Sequence, residues 1–134
     1  MTLGDRRALA RRATRDQIMR LVGDPDPTVV MHVLNNPRVT ESNVLAICAK
    51  RPTVSAALET VIDAPAWSRR LTVRVALAHN PNLAVHAAVP LLVTLPTGAI
   101  GKLRDDEALS PSLRLAASRL CEAARAATST TETS

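Results

Sequence analysis

The sequence is nearly free of aromatic residues, because Trp67 is its single tryptophan and it contains no tyrosine or phenylalanine. β-Sandwiches and barrels draw heavily on aromatic and β-branched side chains, so this scarcity disfavours them. Apolar residues still make up 46% of the 134 residues, with 22 Ala, 17 Leu, 13 Val and 4 Ile. Alanine and leucine are strong helix formers. The composition therefore predicts a single small domain of the all-α class.

Cysteines and long apolar runs are also scarce. Cys48 and Cys121 are too few for a disulfide framework or a four-cysteine metal site. Charged residues interrupt the arginine-rich N-terminus, and prolines interrupt the most apolar stretch, residues 83–100, so neither a signal peptide nor a membrane span is predicted. Residues 97–102 contain Gly and Lys but lack the spacing of a phosphate-binding loop. We expect a cytoplasmic protein without a cofactor.

Prolines divide the chain at nearly regular intervals. Successive marks are separated by 12 to 16 residues, at Pro25, Pro37, Pro52, Pro65, Pro81, Pro96 and Pro111. Between them, apolar residues recur with the three- and four-residue spacing of a helix face. One short helix and a turn fit each interval, so the sequence predicts about eight helices.

Several residues have the chemistry of helix starts. Asp26 and Ser110 each precede a proline, which places a side-chain acceptor at the N-cap and proline at the first helical position. Thr40, Thr53 and Thr97 are further predicted N-caps.

Two Asn-Pro dipeptides mark predicted helix ends and reveal an internal repeat of 44 residues. Superposing Asn36-Pro37 on Asn80-Pro81 aligns seven apolar pairs, namely Val29 with Val73, Met31 with Val75, Val33 with Leu77, Val39 with Leu83, Val44 with Ala88, Ile47 with Leu91 and Cys48 with Leu92. Helical repeats of this length are typical of an α-solenoid, whose units stack to bury their apolar faces. Pro90 falls inside a predicted helix over residues 83–95, where we expect a kink or a division.

The run over residues 73–81, Val-Arg-Val-Ala-Leu-Ala-His-Asn-Pro, resembles the leucine-rich repeat variant and the broader HEAT-like helical repeats. The copy over residues 29–37 departs from the pattern, with Val30 in place of Arg74 and His32 in place of Ala76. The resemblance covers residues 24–121 and implies a right-handed solenoid used for binding. Some leucine-rich repeat variant proteins hold an iron–sulfur cluster on N-terminal cysteines, which this sequence lacks, so that cofactor is not carried over.

The two ends differ from the repeats. Residues 5–22 hold six arginines and are predicted to form a basic capping helix, with Arg7, Arg11 and Arg15 along one stripe. Residues 128–134 are rich in Thr and Ser and are predicted to be disordered. The predicted helical repeat domain therefore spans residues 1–127.

The candidate catalytic groups have simpler structural interpretations. His79 and His86 are separated by a turn, without a further ligand at metal-binding spacing. Cys48 is in register with Leu92 and is interpreted as a small core residue. The acidic run 105–107 is interpreted as a solvated turn rather than a pair of tuned carboxylates. We expect no metal site and no enzymatic activity.

Arginine supplies most of the positive charge, with 15 Arg and 2 Lys against 12 acidic residues, for a net charge of +5. In a solenoid, equivalent positions of neighbouring units lie side by side. A surface stripe is therefore predicted, formed in one unit by Arg38, Lys50 and Arg51 and in the next by Arg69, Arg70 and Arg74. Arginine binds carboxylates and phosphates through paired hydrogen bonds. The predicted contact residues are Arg38, Arg51, Trp67, Arg70 and Arg74.

Three functions follow in order of preference. The first is a non-catalytic protein-binding or scaffolding module that recognises an acidic or helical partner segment through shape and arginine pairs. The second is sequence-independent binding of duplex DNA, which requires only a basic stripe. The third is a HEAT-like DNA glycosylase. Its base-holding site would be Trp67 beside Arg69 and Arg70, with Asp63 nearby. A tryptophan after a proline more often anchors packing between helices, and that interpretation competes with the third function.

Overall fold

Helices build most of the described chain. The computed structural model describes residues 1–133, with side chains described through Thr128. These residues contain no β-strand, which confirms the all-α prediction, and ten helices rather than about eight. The helices are α1 (Leu3–Arg12), α2 (Arg15–Leu21), α3 (Pro27–Asn35), α4 (Glu41–Ala49), α5 (Ser55–Ile62), α6 (Pro65–Ser68), α7 (Leu71–Ala78), α8 (Val85–Leu92), α9 (Thr97–Arg104) and α10 (Pro111–Thr133).

The helices belong to two compact units, unit 1 over residues 1–83 and unit 2 over residues 84–134. In unit 1, α3 packs between α1 and α5, while α4 packs on α5 and α7. In unit 2, α10 packs on α9 and α8. Unit 1 buries Ile18, Leu58 and Leu77 almost completely, and unit 2 buries Leu92 and Leu103.

Helix starts follow the predicted capping chemistry at three of five positions. Asp26 and Thr40 accept hydrogen bonds at the starts of α3 and α4, and the Ser110 hydroxyl accepts one from the Leu113 N–H. Thr53 is not a cap, because its N–H donates to the Asn82 side chain and α5 begins two residues later. Thr97 is not a cap either, because Pro96 is the N-cap of α9.

The predicted basic capping helix over residues 5–22 is two helices, α1 and α2. Ala13 is completely buried where the chain turns, and Thr14 forms a capping box with Gln17 that starts α2. Arg7 and Arg11 therefore lie on a different helix from Arg15. Arg7 donates to both carboxylate oxygens of Asp26, at 3.1 and 3.2 Å, which ties α1 to the start of α3.

One other expectation differs from the structure. The helix containing Pro90 is α8, which spans Val85–Leu92 instead of residues 83–95 and continues through that proline without division. Helix α10 ends at Thr133, and the disorder of residues 128–134 stays a prediction. Ser134 and the side chains of residues 129–134 lie outside the described residues.

The 44-residue repeat is visible in the helices and in their burial. A shift of 44 residues places α3 on α7 and α4 on α8, and the two helices of each pair begin at equivalent positions. Both members are buried in five of the seven aligned apolar pairs, at 29 and 73, 33 and 77, 44 and 88, 47 and 91, and 48 and 92. Met31 and Val75 form a pair that is not fully buried. The repeat therefore reproduces helix positions and core positions together.

The repeated asparagines join helix ends rather than merely ending helices. Asn36 donates from Nδ2 to the carbonyls of Ala10 and Ala13, at 3.0 and 3.1 Å, at the end of α1. Asn80 donates in the same way to Cys48 and Lys50, both at 2.8 Å, at the end of α4.

The acceptor oxygens of the two asparagines also have matching roles. Asn36 Oδ1 accepts from the Arg38 N–H and Asn80 Oδ1 from the Asn82 N–H, both at 2.9 Å. Each buried asparagine thus satisfies carbonyls that a helix terminus leaves without partners and also closes its own turn. We call these two residues the asparagine locks.

A hydrogen bond between α1 and α3 predicts a pH-dependent loss of stability. Arg11 Nε donates to His32 Nε2 at 3.2 Å, so this contact requires unprotonated His32. Burial and the charges of Arg11 and Arg7 lower the pKa of His32 below its ordinary value of 6.5. The unfolded chain therefore binds more protons than the folded chain just below pH 6.5, and the free energy of unfolding should fall as the pH decreases through this range.

Denaturant titrations between pH 7.5 and 5.5 measure this effect. The His32→Gln variant retains an acceptor but does not titrate, so its stability should change less with pH than that of the parent protein. Asp26 and Glu41 have lowered pKa values, and their contributions are lost at lower pH, below about 4.5. Equal slopes for parent and variant would contradict the assignment to His32.

Candidate functional site

The strongest candidate site lies in unit 1, where α6 meets the starts of α4 and α7. The Arg70 guanidinium lies over the Trp67 ring, 4.4 Å from its centroid, and its Nη1 is 3.1 Å from Glu41 Oε2. The Thr72 hydroxyl donates to Glu41 Oε1. We call Glu41, Trp67, Arg70 and Thr72 the Trp67 cluster.

Local sequence explains how the cluster is assembled. Pro65 begins the four-residue helix α6, which carries Trp67, and Arg70 is the N-cap residue of α7. Glu41 is the first residue of α4, where a negative charge also interacts favourably with the helix dipole. The start of α4 and the distant segment 65–72 thus contribute to one cluster.

Trp67 has a packing role within this cluster. Its ring is half-buried, and Nε1 donates to the Leu34 carbonyl at 3.2 Å. Leu34 lies in the last turn of α3, where carbonyls have no partner within the helix. Trp67 therefore anchors α6 to the end of α3, while part of its ring remains accessible beside Arg70.

A groove of about 410 Å³ lies against the same end of α3. Its lining residues are Met31, Leu34, Asn35, Thr60, Asp63, Ala64 and Pro65. Met31 is 42% exposed, so the groove presents an apolar surface to solvent. Leu34 and Pro65 place this groove next to the Trp67 cluster, because Leu34 binds Trp67 and Pro65 begins the helix that carries it.

The electrostatics of the cluster keep Glu41 ionised. The hydrogen bond from Thr72 is the largest effect that lowers the pKa of Glu41, and the charge of Arg70 adds to it, while burial opposes both. A carboxylate held ionised between two donors accepts hydrogen bonds but is poorly suited to act as a general acid. Glu41 therefore provides a fixed negative charge in the cluster rather than a transferable proton.

The five predicted contact residues have different environments. Arg70 and Trp67 meet in the cluster. Arg51 is exposed but donates to the His79 carbonyl at 2.7 Å, beyond the end of α7. Arg74 donates to the carbonyls of Ser68 and Arg69 at the end of α6, at 3.3 and 2.6 Å, and its Nε is buried without a partner. Arg38 is exposed on the turn after α3.

The structure therefore joins two of the five and gives two others an intramolecular capping role. Glu41 and Thr72 belong to the site but were not predicted. A glutamate directly after the Thr40 N-cap is an ordinary feature of a helix start, so only the tertiary contact with Arg70 distinguishes Glu41.

The remaining candidates for catalysis are a buried cysteine and two exposed aspartates. Cys48 is completely buried, and this burial raises the pKa of its thiol to about 12. The nucleophilic thiolate is therefore scarce at neutral pH. In the acidic run, the hydrogen bond from Arg104 lowers the pKa of exposed Asp105. Asp63 is exposed in the groove.

Residues 1–133 contain no group of three or more His, Cys, Asp or Glu side chains placed to hold a metal ion. Within the same residues, no helix has both the length and the apolar character needed to cross a bilayer.

The net positive charge resides entirely in unit 1. Residues 1–83 carry 12 cationic and 7 acidic side chains, whereas residues 84–134 carry five of each. Unit 1, which also contains the Trp67 cluster and the neighbouring groove, therefore carries the positive electrostatic potential of the chain.

Comparison with known proteins gives no family assignment. No protein-family model, curated protein or solved structure matches this chain.

Proposed function

We propose that this chain is a non-catalytic protein-binding module that uses unit 1 to recognise an acidic partner segment. The observation that carries the proposal is the pairing of the half-exposed Trp67–Arg70 contact with a partly apolar groove next to it. Tryptophan and arginine are enriched among the residues that dominate protein interfaces. An apolar partner side chain in the groove and a carboxylate near Arg70 would use both features.

The repeat supports the same proposal. Equivalent helices and asparagine locks recur after 44 residues, as expected for helical-repeat proteins whose stacked units present extended binding surfaces. We also propose that the repeated helices stack as a right-handed solenoid.

A capture experiment tests the function through exposed Arg70. The tagged chain is incubated with a nuclease-treated extract, and a specific protein should be retained by the parent chain. Arg70→Gln should weaken its capture about tenfold, because a hot-spot substitution costs roughly 1.4 kcal/mol or more. Arg12→Gln is the matched control, since Arg12 is an exposed arginine on α1, outside the cluster. Retention of nucleic acid alone, or equal capture by both variants, would sink the proposal.

The single tryptophan permits a direct measurement with the captured partner. Because Trp67 is the only tryptophan and no tyrosine is present, the intrinsic fluorescence of this chain reports on the cluster alone. After subtraction of the partner's own emission, adding the purified partner should shift Trp67 emission in a saturable manner, and Arg70→Gln should displace the titration to higher concentrations. Unchanged emission during complex formation would place the interface elsewhere and contradict the proposed site.

Sequence-independent binding of duplex DNA is the second candidate function. The excess of five positive charges in unit 1 favours it, as do exposed Arg38, Lys50 and Arg69. Binding to a labelled random duplex should then weaken steeply as salt increases, because phosphate contacts release counterions. Absence of binding at low salt would exclude this candidate.

A further inference from the structure

Acceptor groups line the groove of about 410 Å³ beside the Trp67 cluster. Asp63 is the only charged residue among the described residues that line it. Its carboxylate is exposed and has no hydrogen-bond or ion-pair partner in the described part of the chain. Asn35 adds an exposed amide, and the Thr60 hydroxyl donates its hydrogen to the Ala56 carbonyl at 2.8 Å, which leaves its lone pairs as acceptors. The polar part of the groove therefore favours a cationic donor.

Two helix C-termini add to this preference. Helix α3 ends at Asn35, α5 ends at Ile62, and Asp63 is the C-cap residue of α5. The last carbonyls of a helix give its C-terminus a partial negative charge, which favours a cation nearby. The described lining residues include no cationic side chain, although unit 1 as a whole has an excess of positive charge. The groove thus collects acceptors on an otherwise basic unit.

Apolar side chains form the rest of the lining, namely those of Met31, Leu34, Ala64 and Pro65. Lysine and arginine side chains pack their aliphatic stems along apolar surface while their charged heads reach polar partners. An acidic side chain would be repelled by Asp63. A purely apolar side chain would cover that carboxylate without replacing the hydrogen bonds of its water. A long basic side chain satisfies both parts of the groove.

We propose that this groove binds a lysine or arginine side chain of the partner, with its charged head at Asp63 and its stem against Met31. The inference rests on the proposed function and extends it, because the partner segment then carries a basic residue as well as the carboxylate that pairs with Arg70. Asp63 therefore determines specificity, since it repels an acidic residue at this point of the partner.

Selection from a library of random linear peptides displayed on phage tests the chemistry of the occupant. Peptides that bind the parent chain should be enriched in one basic and one acidic residue at a fixed spacing. Asp63→Lys should retain the helical circular dichroism spectrum, because a cation near a helix C-terminus is favourable. It should select peptides in which an acidic residue replaces the basic one.

A selected peptide, synthesised with a fluorescent label, gives the affinity through its anisotropy. Asp63→Asn should weaken binding about tenfold, because a charge-assisted hydrogen bond is lost. Asp16→Asn is the matched control, since Asp16 is exposed on α2, outside the groove. Replacing the basic residue of the peptide with norleucine should weaken binding to the parent chain by a similar factor. The same replacement should hardly change binding to Asp63→Asn, because the two groups form one pair.

Two results would overturn the basic occupant while leaving the protein-binding function intact. One is a peptide that loses affinity with Arg70→Gln but not with Asp63→Asn. The other is a set of enriched peptides without a basic residue. A library from which the parent chain enriches no peptide would overturn the proposed function and this inference together.

Discussion

Replacing Asn80 with alanine is expected to lower the free energy of unfolding by about 3 kcal/mol and the Tm by about 10 °C. The substitution removes two hydrogen bonds to the carbonyls of Cys48 and Lys50 and one from the N–H of Asn82. Asn80 is only 1% exposed, so water cannot easily replace its side chain. The loss therefore includes the cost of leaving buried polar groups without partners.

The repeat supplies a test and a control for this prediction. Asn36→Ala should cause a comparable loss, because Asn36 has the same set of donors and acceptors at the end of α1. Adjacent Asn35 is exposed, and Asn35→Ala should change stability by less than about 0.5 kcal/mol. Denaturant titration measures all three variants. Equal effects at positions 35 and 36 would show that the locks contribute no special stability.

Replacing Leu77 with alanine should be comparably destabilising, with an expected loss of about 2–5 kcal/mol. Leu77 is completely buried in α7, and a core without phenylalanine or tyrosine has few bulky residues that can move into the resulting cavity. The cost combines lost apolar burial with the cavity that remains.

Leu71 provides the matched control on the same helix. It is 44% exposed at the first position of α7, so Leu71→Ala should cost less than about 1 kcal/mol. Thermal and denaturant unfolding distinguish the two substitutions. A loss below 1 kcal/mol for Leu77→Ala would indicate that the core relaxes around the cavity.

Core positions were predictable because they follow from the sequence periodicity. Val29 and Val73, for example, were aligned by the repeat and are both completely buried. Caps were predictable where a local side chain alone satisfies the helix start, as at Asp26. Thr53 failed as a cap because a distant turn holds its N–H through Asn82, a contact that local sequence does not reveal.

The candidate site was predictable only in part for a related reason. The abundance of arginine indicated contact chemistry, but a long guanidinium side chain reaches several helix ends, and sequence does not specify which. Arg51 and Arg74 donate to backbone carbonyls within unit 1. Arg70 instead meets Trp67 and Glu41, a combination that depends on how α4, α6 and α7 pack.

The asparagine locks also impose an order on folding during synthesis. The carbonyls of Cys48 and Lys50 belong to the end of α4, but their donor, Asn80, is translated 32 and 30 residues later. At the ribosome, α4 therefore emerges before the side chain that completes its C-terminus is available. We expect α4 to acquire its full protection against hydrogen exchange only after α7 and its turn have left the exit tunnel.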